Sequence, residues 1–277
     1  MAASEERARR YLVGLCWPDG VRRCPRCGHD KDYALRSGRV RCADCRYTYH
    51  DFTGRWVNNG CLSSADWLKL LSAFEAERTA RETAKDLGLS YNTVYKAFNT
   101  IRFAILAHAL DARQLLGRNS HLGLVPDGRA AGGGSAMRPD RSPVFGILER
   151  QGRAFVDLVP GFDAQTILHF SHSFQLQVVR RGRIVYTGPY QRYQTLVCCV
   201  GDEMALRYLG PGKGRVDIDD APGFWQFSTA RLLRFHGITW QRFPLYIKEL
   251  EFRYNQRNNE LFPRLAQYVC DIVPDFG

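Results

Sequence analysis

At 277 residues, with 45% hydrophobic and 24% charged side chains, the chain has the composition of a globular fold of two or three modules, which excludes wholesale disorder. A formal net charge of +11 and a pI near 9.4 imply a partner dense in negative charge, and nucleic-acid phosphate is the commonest one. No run approaches the roughly 18 apolar residues of a membrane span, and Glu5, Glu6, Arg7, Arg9 and Arg10 leave no apolar export signal at the start; the expectation is a cytoplasmic, nucleoid-associated protein without a membrane partner.

Nine cysteines in a reducing compartment are better explained by metal or by burial than by disulfides. Cys24-Pro-Arg-Cys27-Gly28 is followed, after a loop, by Cys42-Ala-Asp-Cys45. In each pair the two-residue gap lets one tight turn aim both sulfurs at one ion, and four thiolates favour a closed, structural, tetrahedral zinc site. Between the pairs, Tyr33-Ala-Leu35 and Arg39-Val-Arg41 read as short strands around Ser37-Gly38, the layout of a zinc ribbon. Cys16, Cys61, Cys198, Cys199 and Cys270 have no such spacing and are expected to be small buried hydrophobes. The ribbon also carries Arg22, Arg23, Arg26, Lys31, Arg36, Arg39, Arg41 and Arg46, with Tyr47, Tyr49 and Trp56 just beyond, a mixture suited to phosphate contact and packing on sugar or base. Arg39, Arg41 and Arg46 are the candidate DNA contacts here; a merely solvated basic face is the alternative.

Ser63-Ser-Ala-Asp66 resembles a capping box, and Trp67, Leu70, Leu71 and Phe74 recur at helical spacing, predicting a helix to about Arg78. Residues 79–87 form a second helix with Ala84 inward, Gly88 can take a left-handed turn, and Ser90 caps a third helix with Val94 and Ala97 inward. That is a helix-turn-helix layout, locked by Leu87, Leu89 and Val94, with an ordinary helical hairpin as its alternative. Ser90, Tyr91, Asn92, Tyr95, Lys96 and Asn99 are then expected to face outward. Asn92 and Lys96 suit base edges, Ser90 and Tyr91 phosphate.

After about Arg118 the texture alternates. Residues 123–127, 144–148, 154–159 and 183–187 read as strands, 164–178 as a helix, Gly132-Gly-Gly134 as a loop, and 224–235, 240–255 and 260–270 as helices. The expected class is multidomain α+β: a zinc ribbon with an amino-terminal helix over 1–60, a helix-turn-helix domain over 61–118, and a ribonuclease-H-like α/β domain with carboxy-terminal helices over 119–277. The aromatic-rich helix from Phe243 to Tyr254 is expected in the core rather than at an interface.

The zinc ribbon and helix-turn-helix, then Pro143-Val-Phe-Gly-Ile-Leu-Glu149, Arg183-Ile-Val-Tyr-Thr187, Gly223-Phe-Trp225, Arg231-Leu-Leu-Arg-Phe-His-Gly-Ile238 and Phe243-Pro-Leu-Tyr-Ile-Lys-Glu-Leu-Glu-Phe-Arg-Tyr-Asn-Gln-Arg257, resemble the ISXO-type insertion-sequence transposases, relatives of the Merlin transposons. The resemblance implies a DDE transposase fold, in which acidic residues hold two divalent ions that activate the attacking oxygen and steady the leaving one. It places the first family aspartate on Asp127, with Gly128 where a glutamate usually follows. The second aspartate position reads Gly188, before Pro189. The third falls on Asp219 or Asp220; the accompanying glutamate position reads Pro222, and the expected basic residue is Thr229. Asp202, Glu203 and Asp217 occupy no matching position. Asp127 and Asp219 are therefore vestigial candidates, and Asp127 is equally an ordinary strand-end residue. Two readings follow. One is an inactive, transposase-derived factor, domesticated or recently dead, that recognises and assembles on double-stranded DNA; the other is an active transposase cutting with magnesium at Asp127, Asp219 and a substitute acid. The resemblance also implies a homo-oligomer, and docking of protein partners is a weaker third role.

Overall fold

The computed structural model describes residues 4–58, 61–110, 112–116, 144–150, 153–158, 183–190, 193–199, 223–232, 234–235 and 242–275. Its helices are α1 (Glu5–Cys16), α2 (Ser64–Glu75), α3 (Ala80–Leu87), α4 (Tyr91–Ala107), α5 (Ala112–Leu115), α6 (Phe224–Leu232), α7 (Phe243–Asn255) and α8 (Phe262–Cys270), with a 3-10 turn at Trp56–Asn58. The strands are β1 (Asp32–Ala34), β2 (Val40–Cys42), β3 (Thr48–Tyr49), β4 (Val144–Arg150), β5 (Arg153–Leu158), β6 (Arg183–Tyr190) and β7 (Tyr193–Cys199). Two compact units result: Met1–His108 joined by Asn259–Pro274, and Ala109–Asn258 with Asp275–Gly277.

In the first unit the helix ends fall where the capping residues stand. Ser63 Oγ accepts the Asp66 N–H at 3.1 Å to start α2. At α3 the box is reciprocal: Thr79 Oγ1 accepts the Glu82 N–H at 3.2 Å, and the Glu82 carboxylate accepts the Thr79 N–H at 2.9 Å. Gly88, at φ 64°, ends α3 in the left-handed conformation that lacks a steric cost only for glycine, and Ser90 caps α4 two residues later. Leu12, Leu70, Leu71, Ile101 and Leu106 are 0% exposed and meet Trp67, Phe74 and Phe98 in one core.

That core also takes in α8, which the sequence places with the carboxy-terminal module. Leu265, Ala266 and Val269 are 0% exposed, and α8 packs on α1, α2, α4 and the 3-10 turn. The reason is amphipathic: on a nine-residue helix these apolar positions form one stripe, and they find a matching apolar groove between the amino-terminal helices. The Glu75 carboxylate accepts the backbone N–H groups of Leu261 and Phe262, each at 2.8 Å, and so caps α8 from α2. His108 closes the other end. Its Nδ1 donates to Ala104 O at 2.8 Å, its Nε2 faces Asp271 at 3.0 Å, and its ring stacks on Tyr268 at 3.8 Å.

In the second unit four strands form a sheet in the order β5-β4-β7-β6, with β4 and β7 parallel and both outer pairs antiparallel. Strand β7 has no counterpart in the sequence expectations, because the run 193–199 places Gln194 and Thr195 side by side ahead of four consecutive apolar residues and so lacks the alternation of a half-buried strand. The β6–β7 ladder loses register between Thr187 and Tyr190, where Pro189 has no N–H to donate. Strand β5 lies at the sheet edge, and α7 covers it. The Asn255 side chain accepts the Ala154 N–H at 2.7 Å and donates to Ala154 O at 2.6 Å, while Lys248 donates to Val156 O. The strand 123–127, the loop at Gly132 and the helix 164–178 expected from sequence lie outside the described residues. Among the described residues no helix is long and apolar enough to cross a membrane.

Two outcomes follow. Burying two aliphatic side chains the size of Leu265 and Val269 contributes about 3–6 kcal/mol, a large share of a typical domain stability of about 5–15 kcal/mol; a chain ending at Asn258 is expected to lose cooperative unfolding of its first unit and bind a hydrophobic dye, and an unchanged melting transition sinks the assignment. The His108–Asp271 pair adds a pH window. The hydrogen bond to Asp271 raises the His108 pKa above 6.5 against the opposing effect of burial, so its stabilisation is present below 6.5 and fades as pH rises through the folded value. Burial raises Asp271, but its hydrogen bonds from His108 and Gln267 bring it below 3.8, so its share is present above 3.8 and fades as acid titrates the folded group. D271N should therefore cost most between those values, no more than about 1 kcal/mol for so solvated a pair, and little near about pH 9, as read by urea titration at each pH.

Candidate metal centre and nucleic-acid face

The two cysteine pairs fold into matching turns. After Cys27, Gly28 sits at φ 77° and its N–H reaches Cys24 O at 2.8 Å; after Cys45, Arg46 takes the same left-handed region at φ 60°. Cys24 N–H donates to His29 O at 2.8 Å, and Cys42 N–H to Tyr47 O at 2.9 Å, so each pair is closed by the same backbone bond. A non-glycine residue in this region costs on the order of 1 kcal/mol, which the second turn tolerates at Arg46.

These turns bring the four sulfurs within 4.8 Å of one another, with Cys24 to Cys45 and Cys27 to Cys42 each at 3.6 Å. A tetrahedron with bonds of about 2.3 Å has sulfur–sulfur edges of about 3.8 Å, so the spacing fits zinc. Val40 and Tyr49 pack behind Cys24 and Cys42, and Cys45 lies against the same small core. The thiols are electrostatically at odds with one another. Burial pushes the Cys24 thiol up, but N–H groups of Cys27 and Arg26 and the neighbouring thiols outweigh it and bring it to about 7. At Cys27 a hydrogen bond from His29 lowers the thiol, yet burial and the other three cysteines push it up to about 12. One negative sulfur is favoured and further ones are resisted, which is the situation a bound dication relieves. Among the described residues, no other three His, Cys, Asp or Glu converge in this way.

The ribbon is tied to α1 by acids. Asp51, 6% exposed, accepts from Arg9 at 2.5 Å and Arg22 at 2.8 Å, and Asp32 accepts from Arg22 at 3.3 Å and from the Tyr49 hydroxyl at 3.0 Å. Arg22 is thereby engaged internally. Arg39, Arg41 and Arg46 are exposed, and Arg41 lies opposite Tyr33 in the sheet register and donates to Thr48 Oγ1 at 3.4 Å.

At the start of α4, Tyr91, Asn92 and Lys96 are exposed and Tyr95 is half-buried. Ser90 is exposed, but its hydroxyl accepts the Thr93 N–H at 3.1 Å and meets Thr93 Oγ1 at 2.8 Å, so capping engages it. Asn99 stands apart from this group: it is 8% exposed and its amide oxygen accepts from Arg102 at 3.4 Å. It lies on the inner side because position 99 falls a full two turns from Asn92, where α4 has entered the core. Sequence reasoning passed over Arg81 and Lys85, exposed one turn apart on α3; the signal was their i, i+4 spacing on the polar side of that helix. Asp127, Gly128, Asp219, Asp220 and Pro222 lie outside the described residues. Gly188 lies in β6, within the stretch where the β6–β7 register shifts.

Residues 117–255 match the family of the ISXO2-like transposase domain, and residues 3–48 match the transposase zinc-ribbon domain. A protein of Halobacterium salinarum, described as an uncharacterized protein in transposable element ISH50, is 23% identical over 280 residues, covering 90% of each chain. An uncharacterized transposase-like protein of Haemophilus influenzae is 24% identical over 115 residues, 41% of this chain and 89% of its own. No solved structure matches the chain.

Metal removal tests the cluster. The purified chain is expected to carry one zinc, C27S and C45S to lose it, and chelation to open the stretch between α1 and the 3-10 turn to protease. Because binding displaces thiol protons, less chelator should strip the ion at about pH 6 than at about pH 8. A metal-free chain with unchanged protease resistance contradicts the assignment.

Proposed function

The chain belongs to the family of ISXO2-like transposases, and we propose from that membership that it is a transposase-derived protein that binds double-stranded DNA and no longer cuts it. In this reading α3 and α4 act as a helix-turn-helix, with Asn92 and Lys96 at base edges, and the zinc ribbon adds phosphate contacts through Arg39, Arg41 and Arg46. The ribbon's ion is structural zinc, since four thiolates leave no open coordination position. The domain around the β5-β4-β7-β6 sheet is taken as ribonuclease-H-like, by family. Such a homo-oligomeric assembly at DNA would act by recognition, by occlusion or by recruiting protein partners.

The observation that carries the inactive reading is Gly188. By the resemblance, it falls at the position expected for the family's second aspartate, directly after Thr187. When bound, two divalent ions supply the nucleophile activation and charge neutralisation of this chemistry, and a glycine offers no ligand to hold them. Asp127 and Asp219 remain, and with Asp202, Glu203 or Asp217 as substitute they support the alternative of an active, magnesium-dependent transposase.

One set of assays separates the two. The expected result is retention of duplex DNA that weakens steeply with salt, the slope on a log–log plot being about 0.9 per phosphate neutralised. R41A should flatten that slope by about one phosphate, whereas N92A and K96A should relax sequence preference. No strand breakage is expected on labelled element-end duplex with magnesium or manganese. Metal-dependent cleavage that vanishes in D127A overturns the inactive reading, and unaltered preference in N92A and K96A removes α4 from the interface.

A further inference from the structure

The exposed start of α4 carries a feature that phosphate contact and hydrogen-bonded base reading leave unused. Tyr91 is 51% exposed, and its ring stacks on Tyr95 with centroids 5.8 Å apart and planes 16° from parallel. The two tyrosines are one helical turn apart, so their row runs alongside that of Asn92 and Lys96, also one turn apart. The nearest hydroxyls are already spent, Ser90 and Thr93 being bonded to each other at 2.8 Å. Beside its own phenol hydroxyl, Tyr91 therefore shows solvent an apolar ring that is stacked on Tyr95 and has an amide and an ammonium in the neighbouring row.

A stacked tyrosine pair beside cationic side chains offers a rigid apolar contact surface with a polar tip, the chemistry enriched at recognition surfaces. Lys96, Arg81 and Lys85 are exposed on the same two helices and favour a polyanion. Phosphate, however, has no use for a ring face. On the major-groove edges of a duplex the one apolar group is the C5-methyl of thymine, and it is the natural partner for such a surface. The amide of Asn92 matches the N6 and N7 edge of adenine, so an amide beside a ring is the pair of chemistries that an A·T step presents. We propose that the Tyr91–Tyr95 pair is a specificity element that reads the 5-methyl group of thymine in the major groove. This rests on the reading that α4 enters a duplex groove.

The test uses the full-length zinc-loaded protein and the duplex that it enriches from a random pool, prepared with thymidine or with deoxyuridine throughout. The exchange removes only the methyl groups and leaves every hydrogen-bonding edge in place. Loss of one buried methyl is expected to weaken binding about 4-fold. Y91S should bind both duplexes equally, at the weaker level, with an unchanged salt slope, while Y91F, which keeps the ring, should still discriminate. Melting temperature and zinc content are read for each variant, and an exposed position should leave both as in the parent. Equal affinity of the parent for the two duplexes overturns the proposal; if N92A or K96A still alters sequence preference in that case, duplex reading by α4 stands and only the methyl contact falls. Tighter binding of a thymidine single strand than of the duplex also overturns it, in favour of stacking on unpaired bases. Enrichment of no sequence at all removes the groove reading on which the proposal is built.

Discussion

One buried guanidinium holds the two ends of the chain together. Arg55 is 7% exposed; one Nη donates to Cys16 O at 2.7 Å, the other to Cys270 O, and its face lies 4.3 Å from the Trp17 ring. A charge taken out of water costs several kcal/mol unless its donors are used. The helix ends engage both Nη groups, while the buried Nε has no hydrogen-bond partner: Cys16 and Cys270 are the last residues of α1 and α8, and their carbonyls belong to the terminal set that has no partner within its own helix. The cation therefore satisfies two orphaned acceptors that lie at the negative ends of two helix dipoles. Backbone bonding continues the join, with Val273 N–H on Gly54 O at 2.8 Å and a bridge between Arg55 and Ile272.

The same logic recurs with opposite sign at helix starts. Glu75 caps α8 from α2, and Glu5 caps α2 from α1, its carboxylate accepting the N–H groups of Ser64 at 2.9 Å and Ala65 at 2.8 Å. Burial alone would raise the Glu5 carboxyl, but those N–H groups outweigh it and hold it below its ordinary value. Each cap joins segments far apart in sequence, so the first unit is held by charges at helix ends as well as by its apolar core. Its consequence for function is order of assembly: the helices that carry the proposed DNA face rest on a segment synthesised long after them.

The second unit solves an edge problem by related means. An exposed edge of β5 would offer unpaired backbone groups to any other chain. Asn255 copies a strand's donor and acceptor against Ala154, and Lys248 takes Val156 O, so α7 closes the β5 edge of the sheet. Within it Glu249 and Arg253 pair at 2.7 Å with both side chains 4% exposed, which leaves neither charge uncompensated in the interior.

The sequence by itself determined what depends on near neighbours. The Cys24, Cys27, Cys42 and Cys45 spacing dictates the metal turns, Thr79 to Ser90 dictates two helices and their break, and the family motifs dictate the lineage, because each is encoded within a few residues of itself. The exposure of Tyr91, Asn92 and Lys96 followed from helical periodicity, but that of Asn99 did not, since whether a helix has entered the core by its third turn depends on what packs against it. Tertiary structure alone decided that α8 belongs with α1, α2 and α4, that Arg55 is a clasp rather than a surface cation, and that the last strand of the sheet runs parallel to β4. Those outcomes are fixed by which apolar faces and unpaired carbonyls meet across the fold, and no local pattern of residues carries that information.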